Sequence, residues 1–197
     1  MELAEFVQDF ALALKEVDAR SPVFTSRTGR VYQAGIGPHS EDRAVDLIVA
    51  QMISLDSHKY DRLVCRVPYA GSRQTCDIVF PGEWLIEVKM ARFYGDNNKP
   101  DDTSLKDLLS PFDADRGAVT DCAKLAAATG AEKRALAIYG FDAPGRPLAI
   151  CHRCVRDAGR EIGGTRAADY GSVLRPCSPC ALAGRCVWMA DFGTTMN

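Results

Sequence analysis

The 197-residue sequence predicts an α/β domain in which helices flank a mixed central sheet, and three observations carry that prediction. Apolar residues recur at helical spacing over residues 2–18 and again over 41–54. Residues 63–91 read as three short strands, the last two separated by a Pro-Gly turn. A further helix then leads into RALAIYGF, Arg134–Phe141, a continuous apolar run with the character of a central strand covered on both faces. The order is therefore helix, three-strand meander, helix, strand, with a Cys-rich segment following.

In the first stretch Leu3, Phe6, Val7, Phe10, Leu14 and Val17 fall on one helical stripe that ends near Ser21-Pro22, since proline disfavours helix in the residue before it. TSRTGRVYQAGIGPHS is rich in turn formers and predicts a loop with at most a short extended piece. Ser40 has the chemistry of an N-cap, and Glu41 and Asp42 suit the positive end of the helix that follows to about Ser54. Val45, Ile48, Val49 and Met52 form its inward stripe. Glu41 lies four residues before Val45 and extends that stripe. The strands are Leu63–Tyr69, Thr75–Phe80 and Trp84–Ala91. The polar segment 94–113 holds at most one short helix, and at this length it is a candidate loop over a site. Asp113 or Asp115 then caps a helix to Thr129, with Gly130 as its stop.

Composition bounds the function classes. The 47% hydrophobic content is enough for a proper core. No apolar run approaches about 18 residues, and acids interrupt MELAEFVQDFALALKEV, so no membrane span and no export signal are expected and a cytoplasmic setting is. The formal charge of −2 argues against a general polyanion binder. Residues 1–142 hold 17 basic and 22 acidic side chains, and residues 143–197 hold 7 basic and 4 acidic. The seven bases of the tail are all arginine, a side chain suited to phosphate contact as well as to a solvated surface. The chain divides accordingly into a core over 1–142 and a Cys/Arg-rich segment over 143–197.

The chemistry concentrates in TCDIVFPGEWLIEVKMARF, Thr75–Phe93. Asp77 interrupts the first apolar run, and Glu87 and Lys89 the second. Burying unpaired charge costs several kcal/mol or more, so these positions need a reason. If Pro81, Gly82 and Glu83 form a three-residue connection, Phe80 pairs with Trp84 and Asp77 comes opposite Glu87. Opposed Cβ atoms are about 4.5–5.5 Å apart, close enough for two carboxylates to share a divalent ion. Alternation puts Lys89 on the same face as Glu87, with Ile86, Val88 and Met90 on the other. Paired carboxylates repel unless a cation lies between them, and hard oxygen ligands suit magnesium or manganese. A lysine beside that ion can hold an attacking water and help deprotonate it. The alternative is a charge-paired, half-exposed hairpin in which Lys89 merely neutralises an acid.

D-x9-E-x-K on a hairpin, within this order of elements over residues 40–142, resembles the PD-(D/E)xK nuclease superfamily with its restriction-endonuclease-like fold. The resemblance implies metal-dependent hydrolysis of DNA, with Asp77 and Glu87 as magnesium (or manganese) ligands, the backbone carbonyl of Val88 as an added ligand, and Lys89 as the catalytic lysine. It also implies a role for Glu41, which matches an acid that many members place on the first core helix. Cys76 stands where the family motif has proline. Many such nucleases pair up to cut both strands, so a homodimer is a further expectation. The competing function class is a nucleic-acid-binding or scaffolding module on the same fold without cleavage. Arg73, Gln74 and Arg92 are candidate phosphate contacts beside the motif, and His39 lies just before the Ser40 cap.

Of the eight cysteines, Cys65, Cys76 and Cys122 fall in core elements and read as small apolar residues. The tail holds Cys151 and Cys154 in CHRC, Cys177 and Cys180 in CSPC, and Cys186. C-x2-C-x22-C-x2-C has the form of a four-thiolate structural zinc site built by Cys151, Cys154, Cys177 and Cys180. Two other readings stand beside it. In one, PLAICHRCVRDAGREI is a helix packed on the sheet and RCVWMADF is a last strand. In the other, Cys177, Cys180 and Cys186 join an earlier cysteine around an iron–sulfur cluster.

Overall fold

The computed structural model describes residues 1–25, 28–91, 108, 117–141 and 185–191. Helix α1 (Leu3–Arg20) buries Phe6, Phe10, Ala11, Ala13 and Leu14 along one face. It stops at Ser21, whose hydroxyl donates to the Val17 carbonyl at 2.8 Å. Two short strands, β1 (Phe24–Thr25) and β2 (Val31–Tyr32), pair antiparallel as a ribbon separate from the main sheet. The chain returns from this ribbon through Gly35 (φ 111). A Cβ there would lie 2.7 Å from Asp18 Oδ1, the oxygen that accepts the Ile36 N–H at 2.9 Å. Only glycine combines that φ with that approach.

Helix α2 (Glu41–Leu55) begins as the sequence predicts, with Ser40 accepting the Arg43 N–H. Its face of Ala44, Val45, Ile48, Val49 and Met52 packs on α1. A single turn, α3 (Ser57–Tyr60), follows. Lys59 bridges it to Glu5 (2.5 Å) and Asp9 (2.6 Å) of α1, and the Tyr60 hydroxyl also donates to Asp9.

The main sheet contains β3 (Val64–Pro68), β4 (Thr75–Phe80), β5 (Trp84–Ala91), β6 (Lys133–Phe141) and β7 (Arg185–Asp191), in that spatial order. β3, β4 and β5 form an antiparallel meander, β6 joins β5 in parallel, and β7 closes the edge antiparallel to β6. Pro81 and Gly82 (φ 77) make the turn between β4 and β5, where the Glu83 N–H donates to the Phe80 carbonyl. That residue pair and that φ are the signature of a type II turn. The parallel step is made by a crossover through α4 (Ala118–Ala127), as parallel neighbours require.

The sheet is covered on both faces. Ile78, Phe80, Trp84, Ile86, Val88, Ala135, Ala137 and Tyr139 join α1 and α2 in one core cluster. Phe6 meets Phe80 edge-on at 5.9 Å, and each such buried large side chain contributes about 1.5–3 kcal/mol. Helix α4 packs against β5 and β6 with Val119, Asp121 and Leu125 buried. The Arg134 guanidinium donates to the Ala126 and Ala128 carbonyls, fixing the end of α4 to the start of β6.

The structure corrects the expected bounds of α4. Gly117 is its N-cap, with no side-chain cap, and the chain turns extended at Ala128, before Thr129. Asp113 and Asp115 lie outside the described residues. So do Arg92 and the polar segment 94–113, apart from a buried Leu108. Cys151, Cys154, Cys177 and Cys180, on which the zinc reading rests, also fall there. β7 occupies most of RCVWMADF, where the packing reading puts a last strand. Cys65, Cys76 and Cys122 are free thiols. Among the described residues no helix is long and apolar enough to cross a membrane.

Candidate active site

The site forms where β4 and β5 part. Their ladder runs Phe80↔Trp84, Val79↔Leu85 and Ile78↔Ile86, the register that a three-residue connection dictates. Beyond Ile86, β5 stays paired with β6 as far as Ala91 while its ladder with β4 has ended. Its N–H groups on the β4 edge still need acceptors, because an unmet buried N–H is costly. Carboxylates provide them. Val88 N–H donates to Asp77 Oδ2 at 2.7 Å, and Met90 N–H donates to Glu41 Oε2 at 2.6 Å. The sequence-predicted acids of β4 and α2 are thus positioned by the backbone of the strand that carries Glu87 and Lys89.

On the far side of β4, Arg66 lies between the pairs Cys65↔Ile78 and Val67↔Cys76, level with Asp77. It has a φ of 55, uncommon for a non-glycine residue, and its guanidinium turns to Asp46 of α2 at 2.6 Å.

Glu87 and Lys89 point to the α4 face, away from Ile86 and Val88 in the core. Glu87, 1% exposed, accepts from the Tyr69 hydroxyl at 2.7 Å and from Lys124 Nζ at 3.1 Å. Lys89 Nζ stands 3.0 Å from Glu41 Oε1 and 2.9 Å from Asp121 Oδ2. Asp121, 2% exposed, meets Lys124 Nζ through Oδ1 at 2.5 Å. Positive and negative groups therefore alternate along Glu41, Lys89, Asp121, Lys124 and Glu87. Asp77 adjoins Glu87 within hydrogen-bond reach.

Burial and this crowding set the protonation. Burial, followed by the charge of Glu87, pushes the Asp77 carboxyl up to about 7, against the smaller opposing pull of the Val88 N–H and Lys89. Burial also raises Glu41, with Lys89 and the Met90 N–H opposing. For Lys89, burial favours the neutral amine, but Glu41 and Asp121 outweigh it and hold the ammonium above its ordinary value. Lys124 is raised in the same way by Asp121 and Glu87. Burial and Glu87 raise the Tyr69 phenol, keeping it a donor.

Comparisons with protein families, curated proteins and solved structures give no match.

Among the described residues four carboxyl groups, Glu41, Asp77, Glu87 and Asp121, face two ammonium groups, an excess of acid that a divalent cation would offset as Asp77 gives up its proton. Among the described residues no group of three or more His, Cys, Asp or Glu side chains is arranged to hold a metal ion. The donors found instead are internal: Val88 N–H on Asp77, Tyr69 and Lys124 on Glu87, and Lys89 with Met90 N–H on Glu41. The donor set fits a hard cation such as magnesium or manganese, because a half-buried carboxyl raised by burial and then by the charge of its buried neighbour Glu87 is what such an ion would relieve.

Sequence reasoning missed Asp121, Lys124 and Tyr69. Asp121 had a readable signal: it lies three residues after Ala118 and four before Leu125, on the inward stripe of α4, as Glu41 does on α2. Lys124 follows from Asp121 at i+3. Tyr69 gave none, since its approach to Glu87 depends on the β3–β4 connection. The other candidates lie outside this network. His39 packs tilted against Phe24 of the ribbon at 5.2 Å, the Gln74 carbonyl closes the β3–β4 turn by accepting the Tyr69 N–H, and Arg73 is exposed.

Proposed function

We propose that the protein is a divalent-metal-dependent nuclease that hydrolyses DNA phosphodiester bonds, on a restriction-endonuclease-like core of the PD-(D/E)xK type. One observation carries the reading: Asp77 and Glu87 lie together on the face of two parting strands, with Lys89 on that face and held by Glu41. In support, α2, β3, β4, β5, α4 and β6 follow the order of elements that such a core uses.

Asp77 and Glu87 would hold magnesium or manganese. The Val88 carbonyl is a third candidate: N–H and C=O of a strand residue leave on the same edge, and the Val88 N–H crosses the gap to Asp77. A cation held there would supply an activated water and offset for the charge that grows on a phosphoryl oxygen. Lys89, kept protonated by Glu41 and Asp121, acts as a hydrogen-bond donor. It orients the water and neutralises phosphoryl charge, and it is not the proton acceptor. Glu41 fixes Lys89 through one oxygen and the β5 backbone through the other. A homodimer suits cutting of both strands and is part of the proposal.

The test is a plasmid and single-stranded DNA cleavage assay in Mg²⁺ with wild type, Lys89→Ala and Asp77→Asn. Wild type should cut and be silenced by chelator, and each variant should lose about a hundredfold or more. Equal degradation by all three would remove this site as the cause.

A second reading has one observation in its favour: Lys89 and Lys124 already neutralise part of the acidic cluster. A DNA-binding or scaffolding module would then bind in chelator, weaken steeply with salt, and never cut. Binding that needs the divalent ion and ends in cleaved strands excludes it.

A further inference from the structure

Two half-buried lysines share one acidic cluster, and the nuclease reading uses only Lys89. Lys124 projects from α4 into the same cluster, 2.5 Å from Asp121 and 3.1 Å from Glu87. It is mostly buried, at 21% side-chain exposure, and its two acids are more so, at 3% and 2%. Solvent screening is weak in such surroundings. A buried ammonium is retained only where acids compensate its desolvation, so Lys124 and Glu87 hold each other in place. The oxygen it meets, Glu87 Oε1, is also the acceptor of the Tyr69 hydroxyl. One side of a proposed metal ligand is therefore already engaged by the protein's own cation.

We propose that Lys124 is an internal counter-cation that competes with the divalent metal for Glu87, with Asp121 as the anchor that keeps Lys124 in the pocket when the metal binds. This rests on the metal-dependent reading of Asp77 and Glu87, and it adds a residue that sets metal affinity. Lys124 stabilises the metal-free fold by neutralising Glu87. The arriving cation has to displace that ammonium from Glu87, which lowers affinity. Because Asp121 contacts both ammonium groups, Lys124 has an acid to stay with when it leaves Glu87. Lys89 keeps its second acid, Glu41.

The experiment is calorimetric titration of the full chain with Mn²⁺, without DNA, for wild type, Lys124→Met and Lys124→Arg, with metal-free Tm recorded in parallel. Lys124→Met should bind Mn²⁺ about tenfold or more tighter than wild type and melt lower without metal. Lys124→Arg, which keeps the charge, should stay near wild type in both. Unchanged or weaker Mn²⁺ binding by Lys124→Met overturns the inference and leaves the nuclease reading standing. No Mn²⁺ binding by wild type or either variant overturns both. Should Lys124→Met fail to fold, acetylation of lysines in the wild-type protein, read by mass spectrometry, decides. Lys124 should become severalfold more reactive with Mn²⁺, while Lys59, bridged to Glu5 and Asp9 elsewhere, should not. Equal reactivity of Lys124 with and without the ion contradicts the proposal.

Discussion

Replacing Asp77 by asparagine should remove a pH-dependent weakness from the fold. Half-buried beside Glu87, the Asp77 carboxyl is raised from 3.8 to about 7, by burial first and then by the charge of Glu87. Near neutrality the folded protein therefore keeps a proton that the unfolded chain has already released. Stability changes with pH in proportion to protons bound in the unfolded state minus those bound in the native state. That difference is negative here. The contribution is fully present below the unfolded-state value and is lost as pH rises through about 7. Between about pH 6 and about pH 8 the loss is on the order of 1–1.5 kcal/mol. For a chain of this size that corresponds to about 3–5 °C in Tm. Asparagine is nearly isosteric, and its amide oxygen can still accept the Val88 N–H, but it has no proton to lose. Thermal unfolding followed by circular dichroism, in chelator and matched buffers across that range, measures the effect. Wild type should fall as pH rises, and Asp77→Asn should be flatter and the more stable of the two at the upper end. Mg²⁺ should raise the wild-type Tm more at the upper end, where the carboxyl is ionised, and leave the variant almost unmoved. Parallel pH profiles for the two proteins would refute the reasoning.

Tyr69→Phe removes a hydroxyl donor from a buried carboxylate and should cost about 1–3 kcal/mol, read as a lower denaturant midpoint at unchanged m-value. Glu41→Gln keeps an acceptor for the Met90 N–H but loses the charge facing Lys89, so cleavage should drop about tenfold to a hundredfold with little change in Tm. Phe10→Ala empties a site between Phe6 and Tyr139 and should cost about 3–5 kcal/mol. Measured well below its Tm, Phe10→Ala should bind Mn²⁺ as wild type does, which separates core from site.

Much of this architecture was legible because each feature had a local cause. The stripe of α2 and its Ser40 cap, the Pro-Gly turn and the unbroken apolar run of β6 are each written in a few adjacent residues. Asp77, Glu87 and Lys89 could be placed on one face because period-two alternation and one turn length fix a hairpin register. The parting of β4 and β5 beyond Ile86 could not be read the same way. It depends on β5 following β6 while Asp77 and Glu41 take over its N–H groups, a bargain between three elements distant in sequence. Lys124 and Tyr69 belong to that level, since each reaches Glu87 from a different part of the chain. Asp121 was readable in principle, as an acid on an inward stripe, and the same test that singled out Glu41 would have found it. The start of α4 was missed for a simpler reason: two aspartates nearby have better capping chemistry than Gly117, yet the helix begins after the glycine.

The central claim is that Asp77 and Glu87 together hold a divalent cation. Its most direct test is anomalous diffraction from crystals of the full chain equilibrated with Mn²⁺. The account predicts an anomalous peak bound by both carboxylates, with Lys124 moved off Glu87. A map without a peak there, with Lys124 still bridging Glu87 and Asp121 at saturating Mn²⁺, would contradict it.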